Sequence, residues 1–146
     1  MLNIENLTEL TIPLELLENI AHAFTTREID LTLCYNDTIQ AYNREYRQKD
    51  QPTDVLSFPI ENEFVIDENS VMPLGSIVIS ADYVQQKADE LGHSNKAELT
   101  LLFIHGLLHI LGYDHEVDSG EMREKEMQLI QEFNLPKSLI VRTEEY

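Results

Sequence analysis

Three of the chain's five histidines fall inside HGLLHILGYDH, residues 105 to 115, at offsets of 0, 4 and 10 in a run otherwise rich in Leu, Ile and Gly. Residues four apart on a helix stand one turn apart on the same face, so His105 and His109 can aim their rings at one point. Gly112 can take the left-handed conformation that ends a helix, turning the chain back so that His115 approaches the same point from the side. Three neutral imidazoles are ligands for a divalent cation. With zinc they leave a fourth tetrahedral position for water, the arrangement of catalytic rather than structural sites. An apolar setting favours the neutral, metal-binding form of imidazole. Three buried rings without a cation would each need their own hydrogen-bond partners. Imidazole suits zinc, nickel and copper alike, so the donor set does not say which divalent ion is native.

The pattern H-x-x-x-H-x-x-G-x-x-H has the spacing of the metzincin peptidases, in which the residue after the first histidine is the glutamate that acts as general base. Here that residue is Gly106. The spacing therefore carries over a metal site and not a peptidase mechanism. A helix-interior glycine costs about 1 kcal/mol relative to alanine, so Gly106 marks close approach by another backbone or a substrate, or tight helix packing. Asp114, Glu116 and Asp118 are candidate acceptors for imidazole N–H groups, with Asp118 better read as a cap of the last helix. Met122 and Met127 read as packing residues. Cys34 reads as filler in a strand, and His22 and His93 stand isolated.

The elements that must position these residues alternate along the chain. Residues 2 to 10 are weakly strand-like, and Pro13 opens a helix through PLELLENIAHAFT. IDLTLCY at 29 to 35 alternates as a half-buried strand does; Asn36 and Asp37 then cap a helix to about Arg47. DVLSFPI is a strand stopped by Pro59, the acidic stretch from Glu61 to Pro73 a loop, and LGSIVIS a further strand. Ser80 caps ADYVQQKADEL, which Gly92 ends. The histidine-bearing helix starts at Ser94 or Asn95, with Asn95 and Glu98 spaced as a capping box, and runs to about Leu111, where Gly112 stops it. A last helix spans about Ser119 to Phe133 and Pro136 closes it. Such interleaving suggests an α+β fold, with α/β as the alternative: a small mixed β-sheet packed with helices around a buried central metal-binding helix. Strand order is not readable from this pattern.

At 146 residues the chain fits one domain, residues 1–146, able to bury roughly two-thirds of its unfolded surface. Its 42% hydrophobic and 25% charged residues argue against disorder. One cysteine allows no internal disulfide, which fits a reducing compartment. The N-terminal residues lack a basic segment and carry acids, unlike a signal or transit peptide. The longest apolar run, around 99 to 112, falls short of the roughly 18 residues of a membrane span. The formal charge of −17 disfavours non-specific binding of nucleic acid. Of ten basic side chains, Arg44, Arg47 and Lys49 lie within six positions, so a local cationic patch is available. Arg47 is otherwise the solvated end of a helix. Tyr42 and Tyr46 are better read as core aromatics than as base-stacking platforms.

HGLLHILGYDH, NREYRQKDQPTDVLSFP at 43 to 59 and PLGSIVIS at 73 to 80 together resemble the YbeY family of bacterial metal-dependent endoribonucleases, the rRNA maturation factors. The likeness covers most of the chain. It implies a zinc-type ion, with nickel or another divalent metal as alternatives, held by His105, His109 and His115. It also implies a functional arginine at Arg47 and a cytoplasmic location without a membrane partner. The implied activity is single-strand-specific RNA cleavage in rRNA maturation and ribosome quality control, with the small ribosomal subunit as partner. The metal would activate water or the RNA 2′-hydroxyl, and Arg47 would donate to phosphoryl oxygens as charge builds. One departure is Ser76, where the family usually has Asp, which drops a charge and keeps a hydrogen-bonding group. The charge of −17 and an RNA substrate are reconciled if Arg44, Arg47 and Lys49 border the metal. Two other readings stand beside this one: a metallohydrolase of peptides or amides, which Gly106 opposes, and a non-catalytic ribosome assembly factor with a structural metal.

Overall fold

Alternating apolar residues build the sheet. The computed structural model describes residues 1–60, 73–114 and 117–136, and runs β1 (Leu2–Asn6), α1 (Leu14–His22), β2 (Ile29–Cys34), α2 (Asn36–Arg47), β3 (Val55–Pro59), β4 (Gly75–Ser80), α3 (Ala81–Leu91), α4 (Asn95–Ile110) and α5 (Glu121–Glu132). The strands form one sheet in the order β1-β2-β4-β3. β1, β2 and β4 are parallel, with Leu31 opposite Ile77 and Leu33 opposite Ile79. β3 runs antiparallel to β4 at the edge, pairing Leu56 with Val78. The sheet is thus mixed and the fold α+β, as expected.

Because successive strand residues point to opposite faces, the sheet has two unlike sides. Ile29, Leu31, Leu33, Ile77 and Ile79 join the main core with α1, α3, α4 and α5. Cys34, Leu56 and Val78 face the other way and pack with Ile39 of α2, flanked by Tyr42 and Phe58. α4 is apolar on nearly every side, and a helix of that kind must be interior. Every residue from Ala97 to Leu108 is buried in it. Gly106 is where it meets the sheet: a Cβ there would stand 2.9 Å from Ile77 Cγ2. The glycine is therefore explained by tight packing of helix on strand.

Most helix ends follow the expected chemistry. Ser80 Oγ accepts the Tyr83 N–H, and Gly92 ends α3 at φ +71°. Two caps differ. Ser94 Oγ accepts the Ala97 N–H at 3.1 Å, so α4 begins one residue too early for Asn95 and Glu98 to form a capping box. Glu98 is instead buried, its Oε2 3.4 Å from Nε2 of His93, which is consequently not isolated. At α2 the N-cap is Tyr35 and no side chain caps the helix. Asn36 is drawn away because its N–H donates to Asp82 Oδ2 at 2.8 Å and its Oδ1 accepts from Ser80 Oγ at 2.7 Å. The acidic stretch read as a loop lies, apart from Pro73, outside the described residues. Among the described residues no helix is long and apolar enough to cross a membrane.

Candidate metal centre

The last two turns of α4 carry His105 and His109 on one face, as their spacing requires. Their Nε2 atoms lie 3.1 Å apart. The ring centroids are 4.6 Å apart and the planes cross at 79°. Two ligands about 2.0–2.1 Å from one tetrahedral ion would stand about 3.3 Å apart, so the pair fits a shared divalent cation. Immediately beyond, the chain reverses. Gly112 sits at φ +103°, its N–H donates to His109 O at 3.0 Å, and the Tyr113 N–H donates to Leu108 O at 2.9 Å. These are the two bonds of a Schellman ending, the reversal expected of Gly112. His115 and Glu116 lie outside the described residues. Among the described residues no group of three or more His, Cys, Asp or Glu could hold a metal ion.

A residue not singled out in the sequence completes this corner. Glu126 Oε1 of α5 lies 2.8 Å from His105 Nδ1, and both side chains are almost wholly buried, 3% and 7% exposed. α5 is held by Met122 and Leu129 in the main core and by Ile130 against Ala97 and Leu101. Asp118 accepts the Gly120 and Met122 N–H groups at 2.8 and 3.0 Å. The N-cap of α5 is thus Gly120 and not Asp118, which instead accepts a first-turn N–H from two residues before the cap, and Met122 packs. The signal for Glu126 was present: it lies four residues from both Met122 and Ile130, an acid on the apolar stripe of its helix.

Arg47 ends α2, on the sheet face opposite α4. It is exposed, and among the described residues it has no hydrogen-bond or ion-pair partner. Arg44 is engaged by Asp50 at 3.6 Å. The Tyr46 ring is 58% exposed, with its centroid 6.1 Å from that of Tyr42 and 5.4 Å from that of Phe58 in β3. Since α4 also packs on β3, this edge strand touches both Tyr46 near the arginine end of α2 and the histidine helix. On the α2 side a cleft of about 670 Å³ is lined by Glu5, Asp30, Thr32, Tyr46 and Ser76. The Ser76 departure therefore falls on the face away from Ile77 and α4.

Cys34 is buried, with Sγ 3.8 Å from Ile79 O. Burial, with the carboxylates of Asp82, Asp37 and Glu5 adding to it, pushes its thiol up to about 11. That suits filler rather than a nucleophile.

Comparison with known proteins gives one pattern. The family described as Endoribonuclease YbeY matches residues 3–134. An Endoribonuclease YbeY of Aliarcobacter butzleri is 59% identical over 143 residues, covering 97% of this chain and 99% of that protein. One from a Sulfurovum species is 54% identical over 144 residues, covering 99% and 98%. A solution structure of a Thermotoga maritima protein superposes with a TM-score of 0.62 at 30% identity, covering 91% of this chain and 89% of that one.

Proposed function

The chain belongs to the YbeY family of endoribonucleases, and from that premise we propose that it cleaves single-stranded RNA at a divalent-cation centre made by His105, His109 and His115. The observation that carries the reading is the 3.1 Å approach of the His105 and His109 Nε2 atoms, at the end of a helix whose chain reverses at Gly112. Zinc is the ion proposed, with nickel or another divalent metal as alternatives that an imidazole set also suits. Ribosomal RNA as substrate, a part in rRNA maturation and ribosome quality control, the small ribosomal subunit as partner, a cytoplasmic location and one domain over residues 1–146 belong to the same proposal.

A divalent cation bound here supplies Lewis acidity toward a phosphoryl oxygen and toward water. The remaining work falls to the chain. His105 and His109 present their donor atoms from a helix fixed by core packing, so little reorganisation accompanies binding. Gly106 supplies no base, and the 2.9 Å approach to Ile77 leaves no room for one, which opposes the peptidase reading. Arg47 is available to donate to phosphoryl oxygens as negative charge builds in the transition state. With Arg44 tied to Asp50, Arg47 and Lys49 are the cations of that loop left to meet a polyanion, and exposed Tyr46 offers a face on which a base can stack.

The test is cleavage of a single-stranded RNA by the purified chain, with casein as control substrate. Chelator should abolish RNA cleavage, one equivalent of zinc should restore it, and casein should stay intact. Product ends distinguish the nucleophile, because attack by the 2′-hydroxyl leaves a cyclic phosphate and attack by water does not. RNA turnover indifferent to chelator, or absent from the zinc-loaded chain, would overturn the proposal.

A further inference from the structure

We propose that Glu126 is the positioning residue of this centre: its carboxylate holds the Nδ1–H of His105, so that Nε2 is the bare nitrogen presented to the cation beside that of His109. The inference rests on the metal reading above and assigns a role to a residue of another helix.

A carboxylate has acceptors only, so a hydrogen bond at 2.8 Å between Glu126 Oε1 and His105 Nδ1 places the proton on Nδ1. The other ring nitrogen then carries the lone pair, and it is the one that faces His109 at 3.1 Å. An imidazole in the opposite tautomer would direct an N–H at the metal position. Burial makes the arrangement rigid. Glu126 is 2% exposed and cannot exchange His105 for water, and a buried carboxylate without a donor is costly. Its helix is fixed independently by Met122 and Leu129 in the core and by Asp118, whose Oδ2 accepts the Met122 N–H. Glu126 therefore behaves as a preset support for the ring rather than as a side chain that follows it. A carboxylate behind a ligating imidazole also raises the basicity of the ligand.

A role in joining α5 to α4 would affect stability alone, so the test reads metal affinity and ring tautomer. Zinc affinity of the full chain is measured by competition with a chromophoric chelator for wild type, Glu126→Ala and Glu126→Gln. The tautomer of His105 is read in the zinc-loaded wild type by ¹⁵N correlation of the ring. Glu126→Ala should weaken zinc binding by about 10–100-fold. Glu126→Gln, whose amide can accept from Nδ1 but also donate to it, should fall between that and wild type. The wild-type ring should carry its proton on Nδ1. Affinities of both variants within about two-fold of wild type, or a proton on Nε2, would overturn the role of Glu126 and leave the metal reading standing. A wild-type chain that takes up no zinc would overturn both. Should Glu126→Ala not fold, Glu126→Gln and the wild-type tautomer decide by the same criteria.

Discussion

Ile77 of β4 fills the notch that Gly106 leaves in α4, so closely that one added carbon at position 106 would stand 2.9 Å from its Cγ2. The contact fixes how α4 lies on the sheet, one residue along from His105. In an unconstrained helix Gly→Ala would gain about 1 kcal/mol. Here the added methyl meets a β-branched side chain held in a strand, where overpacking costs about 1–3 kcal/mol. Gly106→Ala should therefore be neutral to destabilising by about 2 kcal/mol in urea unfolding. Gly106→Glu should fail to fold stably rather than acquire peptidase activity.

His105 and His109 should differ in what their loss does to the metal-free chain. His105→Ala strands the buried Glu126 carboxylate, whose partner it is at 2.8 Å. His109 is only partly buried. Both variants should lose stoichiometric zinc, but His105→Ala should be the less stable in urea by roughly 1–3 kcal/mol. Equal stabilities would contradict the buried pairing.

Arg47→Ala should reduce RNA cleavage by about 100-fold, the scale of losing one transition-state donor. Zinc content and unfolding midpoint should stay at wild-type values, since the side chain is exposed without a partner among the described residues. Undiminished cleavage would return Arg47 to being the solvated end of α2.

Cys34 gives a pH signature. Its folded thiol titrates at about 11 against an ordinary 9.0, so between those values the unfolded chain loses a proton that the folded chain keeps. Stability then falls as pH rises through 9 to 11, by about 2–3 kcal/mol in full. The gap in unfolding free energy between wild type and Cys34→Ala should shift by that amount between pH 8 and pH 11.5. Below pH 9 native protein should resist alkylation by iodoacetamide.

The histidine pair was legible because helical spacing alone decides whether two side chains share a face, and the chain reversal because Gly112 is the residue that a left-handed helix end demands. The strands were legible from alternation, but their order was not, since pairing of β2 with both β1 and β4 depends on contacts far apart in sequence. Glu98 and Glu126 were missed or misassigned for one reason. Each is an acid placed inside by a partner histidine; the apolar stripe marks Glu126 as inward-facing, but no helical spacing names the histidine that meets either acid, His93 before the start of α4 or His105 on another helix. Acids near the motif drew attention as imidazole acceptors, whereas the one that reaches His105 comes from a helix 21 residues on. The cap at Asn36 failed similarly, because Ser80 and Asp82 compete for it.

The central claim is that three imidazoles of one helix and its reversal share a single ion. X-ray absorption at the zinc edge, on the chain loaded with one equivalent of zinc, counts the imidazoles directly. Three histidine ligands, reduced to two in His115→Ala, are the predicted result. Fewer than three in the wild type, or a spectrum that His115→Ala leaves unchanged, would contradict it.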